Sequence, residues 1–341
     1  GGGEEGAARG TEVDRAATGA EARGAMCGVK ARGDRGEREG RTRLLAEAGR
    51  RVAGAAAAAR VAPATAPPPT PDTPAQDALE AAMRILNHGV GPYPPCALAV
   101  RLLQSAAAQG NPDAQCELGV CLAWGRGVHI NRTEANALLR EAVAKGSVEA
   151  VGLLALYNPD YRRTAPRARL DAAVARWRER ATQGHADAQC FLGLCYFDGV
   201  GVTQDVAEAA RWYQRSADQG CAAAQCDLGF CYEKGIGVPK DYGRAAQLYR
   251  LAADQGSATA QNNLGGCHEY GNCGVPKDQA EALRLYRLSA DQGSAFGQRN
   301  LGRCYMEGKG VAKDLVEARR WLTLSANQGD SRARDLLAQL A

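Results

Sequence analysis

An all-α solenoid is the fold this sequence predicts, and three observations carry that prediction. From Ala114 to about Arg332 the chain repeats itself with a period of 36 residues. The segments from Ala188 and Ala224, AQCFLGLCYFDGVGVTQDVAEAARWYQRSADQGCAA and AQCDLGFCYEKGIGVPKDYGRAAQLYRLAADQGSAT, align without a gap. Within each copy apolar residues recur at helical spacing in two separate stretches, and each stretch stops at glycine. Helix pairs of this length cannot bury an apolar face alone and must stack on their neighbours. Such a stack is built for contact surface, so a binding protein is the first expectation.

Taken in order, residues 1–74 are dominated by Gly, Ala, Arg and Glu and end in the cluster Pro63, Pro67, Pro68, Pro69, Pro71 and Pro74. With few large apolar side chains to offset ordering entropy, this tail is expected to be disordered, apart from a marginal helix over 43–60. The stretch after Met26, with Arg41, Arg43, Arg50, Arg51 and Arg60, faintly resembles an organelle transit peptide; low-complexity disorder is the reading adopted. Folding is expected from Ala75. Residues 75–113 form an atypical first repeat, interrupted by Pro92, Pro94 and Pro95 but closing in RLLQSAAAQGNPD. Copies follow at 114–149, 150–187, 188–223, 224–259, 260–296 and 297–332, with a capping helix over 333–341. The copy at 150–187 is degraded, and the one at Ala260 carries one inserted residue near Cys273.

Inside the best copy Ala188, Leu192, Cys195 and Tyr196 form one stripe of a first helix over about 186–198. Gly193 lies beside the stripe, where a missing side chain allows a close partner helix. Gly199 ends the helix and Gly201 follows, as do Gly125 and Gly127, Gly235 and Gly237, and Gly308 and Gly310. Glycine suits the left-handed C-cap and tight loop of a helical hairpin. The second helix opens on Asp205, Asp241, Asp278, Asp314 or Asn131, and Glu208, Glu281, Glu317 and Glu134 stand three residues later. That spacing predicts a capping box in four of five copies. The helix then buries Ala209, Trp212, Tyr213 and Ala217, and Trp321 and Tyr249 are read as core at related positions.

Composition and motifs exclude several classes of function. The net charge of +4 is made of interspersed acids and bases, which leaves no footprint for nucleic acid or anionic membrane. No run of 18 apolar residues offers a membrane span. Of twelve cysteines, Cys116, Cys190 and Cys226 share one position; Cys121, Cys195, Cys231, Cys267 and Cys304 share another. Five residues on one helix is about 140° of rotation, so members of such a pair can neither bridge nor share a metal. The four histidines fall at unrelated positions, and no Cys-x-x-Cys, Walker loop or nucleophile motif occurs. No catalytic residue, cofactor or metal is therefore expected. The cysteines read as small buried hydrophobes in a reducing, intracellular compartment, with Cys273 the thiol expected to be exposed.

The run LG-x-x-Y-x-x-G-x-G-V, the capping Asp, the aromatic pair and AA-D-Q-G together resemble the Sel1-like repeat. The resemblance covers about 75–341 and weakens at Ala150, where Asn158 and Pro159 break the loop. Tetratricopeptide repeats are similar but run to 34 residues and lack this loop. The resemblance implies a right-handed superhelix whose first helices line a concave groove, and a scaffold or adaptor role toward other proteins or peptides. It also brings two alternatives: a cysteine-rich hydrolase of β-lactam-like compounds, and an accessory subunit of a membrane-associated degradation complex. Relatives of the first kind staple each helix pair with a disulfide. That needs a cysteine on both helices, and the second helices here are read as carrying none.

Comparing copies also suggests partner-binding positions. Three first-helix sites at i, i+3 and i+7 vary freely: Glu117, Val120 and Trp124; Phe191, Leu194 and Asp198; Asp227, Phe230 and Lys234; Asn263, Gly266 and Tyr270; Asn300, Arg303 and Glu307. Large apolar groups on a varying face look like an interface centre. Trp124, Phe191, Leu194, Phe230, Tyr270 and Arg303 are accordingly the candidate partner-binding residues. Serine at both Phe191 and Phe230 is expected to leave helicity and melting temperature intact while partner capture is lost.

Overall fold

The structure, a computed structural model, describes residues 74–88 and 94–340. The expectations for the tail, for the helix over 43–60 and for a transit peptide lie outside those residues. Sixteen helices follow one another, and no strand occurs among the described residues. The first two repeats are α1 (Ala75–His88) with α2 (Pro94–Ala108) and α3 (Pro112–Trp124) with α4 (Arg132–Ala144). The third has α5 (Val148–Tyr157), a short α6 (Pro159–Thr164) and α7 (Arg167–Thr182). Then come α8 (Ala186–Asp198) with α9 (Val206–Asp218), and α10 (Ala222–Lys234) with α11 (Tyr242–Asp254). The series ends with α12 (Ala258–Tyr270) and α13 (Gln279–Asp291), α14 (Ala295–Glu307) and α15 (Leu315–Asn327), and a terminal α16 (Ser331–Ala338). Each helix packs chiefly on its chain neighbours, and first helices also touch one another, as α12 and α14 do. This is the solenoid the period predicts.

A glycine socket holds six of the pairs together, closed by a ring in four of them and by Leu139 and Leu322 in the other two. A Cβ on Gly193 would stand 2.6 Å from the Tyr213 ring, and on Gly229 or Gly265 2.9 Å from Tyr249 or Tyr286. Only a residue without a side chain lets the helices meet this closely. In the third repeat Gly152 faces Trp177, which is fully buried in the slot tyrosine occupies elsewhere. Here the Gly-x-Gly loop gives way to α6, capped by Asn158, whose Oδ1 accepts from the Asp160 and Tyr161 amides at 3.0 Å. Gly125, Gly199, Gly235 and Gly308 close their helices in the left-handed region, as the spacing predicts.

Several expectations need correction. Asp205, Asp278 and Asp314 cap their helices by accepting two amide N–H groups each, and Asp241 and Asn131 by accepting one. The reciprocal half of the capping box does not form. The cap residue's own N–H is already committed to the preceding first helix: Asp205 donates to the Tyr196 carbonyl, Asp241 to Tyr232 and Asp314 to Tyr305. The glutamates turn outward instead, Glu208 to Arg211, Glu281 to Arg284 and Glu317 to Arg320. Cys273 is buried, not exposed; it takes φ +56° in the inserted loop, which tucks its thiol into the core. Trp321 is half-buried, its Nε1 donating to Glu317 at 3.0 Å, because α15 has only the short α16 beyond it. Cys96 falls in the first turn of α2, so one second helix does carry a cysteine.

The superhelix closes on itself. The Ile130 N–H in the second repeat's loop donates to the Gln292 carbonyl in the sixth repeat at 2.9 Å. The Arg132 guanidinium lies 6.0 Å from the centre of the Phe296 ring. Contacts between segments more than 160 residues apart turn an open groove into a bounded cavity.

Candidate interaction groove

Most of the variable first-helix positions are occupied by contacts between repeats. In the curved stack much of the i, i+3, i+7 face of a first helix lies against a neighbouring repeat. Asn300 donates to Asn262 at 2.7 Å, and Asn263 to Cys226 Sγ at 3.8 Å. Phe191, Leu194 and Phe230 are buried at 6%, 5% and 8% exposure. The Phe191 ring lies 5.3 Å from both Trp124 and Trp177, and Phe230 lies 6.5 Å from Phe197. Their variation reflects pairwise repacking at successive junctions. Tyr270, by contrast, is 49% exposed, and Trp124 is half-buried on the cavity wall.

Arg303 is held inside an ionic cluster. It grips Glu269 with both terminal nitrogens at 2.7 and 2.6 Å, while Lys309 Nζ stands 3.3 Å away and the Tyr286 hydroxyl donates at 2.8 Å. Burial alone would raise the Glu269 carboxyl, yet these hydrogen bonds and charges hold it below the usual carboxylate range.

None of the residues in this ionic cluster lines the cavity itself, which encloses about 620 Å3. The αα turns and first turns of α8, α10, α12 and α14 form one side; the loop after α3 and the start of α4 form the other. Trp124, Arg126, Asp187, Cys221, Asp227 and Phe296 line it. The Arg126–Asp187 ion pair spans it at 3.0 Å, both side chains about a quarter exposed (26% and 24%). Asp187 raises the Arg126 pKa against the opposing effect of burial. Beneath lies Glu117, half-buried, pushed up to about 7 by withdrawal from water and then by Asp187 and Glu149, with Arg180 and Arg126 acting the other way.

One sequence signal could have found Arg126. The middle residue of the Gly-x-Gly loop is apolar in Val200 and Ile236, which fold inward, but cationic in Arg126 and Lys309. Both cations reach a carboxylate of another repeat, Asp187 and Glu269. Nothing local marks Phe296 or Ile130, which meet their partners only through superhelical closure. Among the described residues no group of three or more His, Cys, Asp or Glu side chains is placed to hold a metal, and no helix is long and apolar enough to cross a membrane.

The Sel1 repeat family model matches residues 79–111, 112–147, 186–221, 222–257, 258–294 and 295–330, passing over the third repeat where α6 replaces the loop. No curated protein matches the chain. Among solved structures, the chain is similar to c5321, a protective antigen of uropathogenic Escherichia coli strains displaying an SLR fold. Identity is 32%, over 71% of this chain and 51% of that one, with a TM-score of 0.45. It therefore spans about half the length of c5321. A Sel1 repeat protein from Oxalobacter formigenes is 29% identical over 76% of this chain and 86% of its own, again with a TM-score of 0.45.

Proposed function

This chain belongs to the Sel1 repeat family, and from that premise we propose that it recruits a partner protein through the bounded cavity on its concave side. Sel1 repeat solenoids generally serve as protein-interaction scaffolds and are typically non-enzymatic. The observation that carries the finer reading is the closure at Ile130 and Gln292, which turns the inner wall into a cavity of about 620 Å3 with aromatic and charged walls. A volume of this order accommodates a few side chains of a peptide, anchored by Trp124 and Phe296 and oriented by Arg126, Asp187 and Asp227. Of the candidates from sequence, Trp124 and Leu194 line this cavity; Phe191, Phe230, Tyr270 and Arg303 do not.

Site-specific photocrosslinking tests the proposal. A photoreactive residue at Asp227, inside the cavity, should give an adduct with a discrete partner, and one at Leu251, exposed on a second helix, should not. Adducts from position 251 with none from 227 would place the working surface on the convex side and end this reading.

A further inference from the structure

The contact between residues 31 apart recurs along the array, and in one copy both members are thiols. At three junctions a residue in the middle of a first helix meets the N-cap residue of a following first helix. Arg299 and Asp330 fill the register as an ion pair at 2.7 Å. Cys116 and Ser147 fill it as a thiol hydrogen-bonded to a hydroxyl. Cys190 and Cys221 fill it with two neighbouring thiols. Cys221 Sγ also lies 3.7 Å from Asp187 Oδ1, one turn from Cys190 on the same helix face. Capping does not explain this cysteine. Asn111, Ser147, Ser257, Ser294 and Asp330 take the same N-cap slot and accept amide hydrogen bonds through oxygen; cysteine is not a favoured cap.

We propose that Cys190 and Cys221 are a reactive dithiol, which a low-molecular-weight disulfide oxidises to a bond joining the fourth and fifth repeats. Burial assigns the order of events. Cys190 is fully buried, while Cys221 is half-buried on the cavity wall, so an incoming reagent meets Cys221 first. The neighbouring Cys190 holds the Cys221 thiol below its usual range against the opposing effects of burial and Asp187, and the thiolate is the attacking form. The Cys221 thiolate attacks one sulfur of the reagent, its S–S bond breaks, and one thiolate leaves. Cys190 then attacks Cys221 Sγ as its proton passes to the departing second thiolate. Two protein thiols are oxidised and one disulfide is reduced to two thiols. This chemistry does not depend on partner docking, although Cys221 shares the cavity wall.

The test uses the reduced full chain in glutathione/glutathione disulfide buffers, with alkylation and peptide mapping by mass spectrometry. A peptide pair joined through Cys190 and Cys221 should appear ahead of oxidation at Cys116, Cys226 or any other described cysteine. In Cys190→Ser a glutathionyl group should accumulate on Cys221; in Cys221→Ser, Cys190 should stay reduced. Circular dichroism confirms that each variant is folded, and the wild-type map decides the matter if one is not. Failure of the 190–221 pair to form in wild type while other cysteines are modified would overturn the proposal. So would a glutathionyl group that persists on wild-type Cys221 without being resolved.

Discussion

At the residue scale, buried positions settle questions that spacing leaves open. Phe191 and Phe230 stand on a varying face, yet each fills a junction between repeats. Serine at both is therefore expected to cost about 3–5 kcal/mol per site, from cavity formation and from burying a hydroxyl. Urea denaturation followed by circular dichroism should show the midpoint falling sharply; an unchanged midpoint would return them to the surface. Glu117 makes a second prediction. Its folded pKa, about 7, stands above the ordinary 4.5, so the folded state holds its proton more tightly. Stability should fall as pH rises from about 4.5 to 7 and stay reduced above it. Glu117→Gln should flatten that slope and stabilise the protein above pH 7 by roughly 1–3 kcal/mol. Thermal melts from pH 4.5 to 8 would reveal a mistake if wild type and variant ran parallel. Glu117 was readable as a variable site, but its acidity depends on burial and then on Asp187 and Glu149, all supplied by packing against other repeats.

At the scale of the element, helix ends were legible almost residue by residue. Cap and stop signals act within a turn of chain, so Asp205 and Gly199 need no distant partner to do their work. Pairing the cap with Glu208 went wrong for a tertiary reason. The Asp205 N–H is already bonded to the Tyr196 carbonyl, across the hairpin loop. Asp205→Ala should therefore destabilise by about 1 kcal/mol. Glu208→Ala should cost only a few tenths, the worth of its exposed pair with Arg211. Equal losses in chemical denaturation would mean that the reciprocal bond does form. The cysteines teach the same lesson. Within one helix the i, i+5 pairs cannot meet, and the pair that does meet, Cys190 with Cys221, joins two helices across a repeat boundary.

For the whole molecule the governing feature is the seam between Ile130 and Gln292. Gly293 sits there at φ +86°, and a Cβ on it would stand 3.1 Å from the Ile130 carbonyl oxygen. Gly293→Ala is thus expected to loosen the seam, through backbone strain and contact together. The Ile130 amide should exchange with solvent faster while amides inside α8 and α10 keep their protection. Unchanged exchange at Ile130 would show that closure does not rest on this turn. The amino-acid sequence by itself determined the repeat, the helix ends, the glycine sockets and hence the all-α solenoid, because those features depend on neighbours within one unit. Only the tertiary structure decided which side chains face the cavity, where the superhelix meets itself and which thiols touch. Small rotations from one repeat to the next add up along the array, and their sum is written in no single copy.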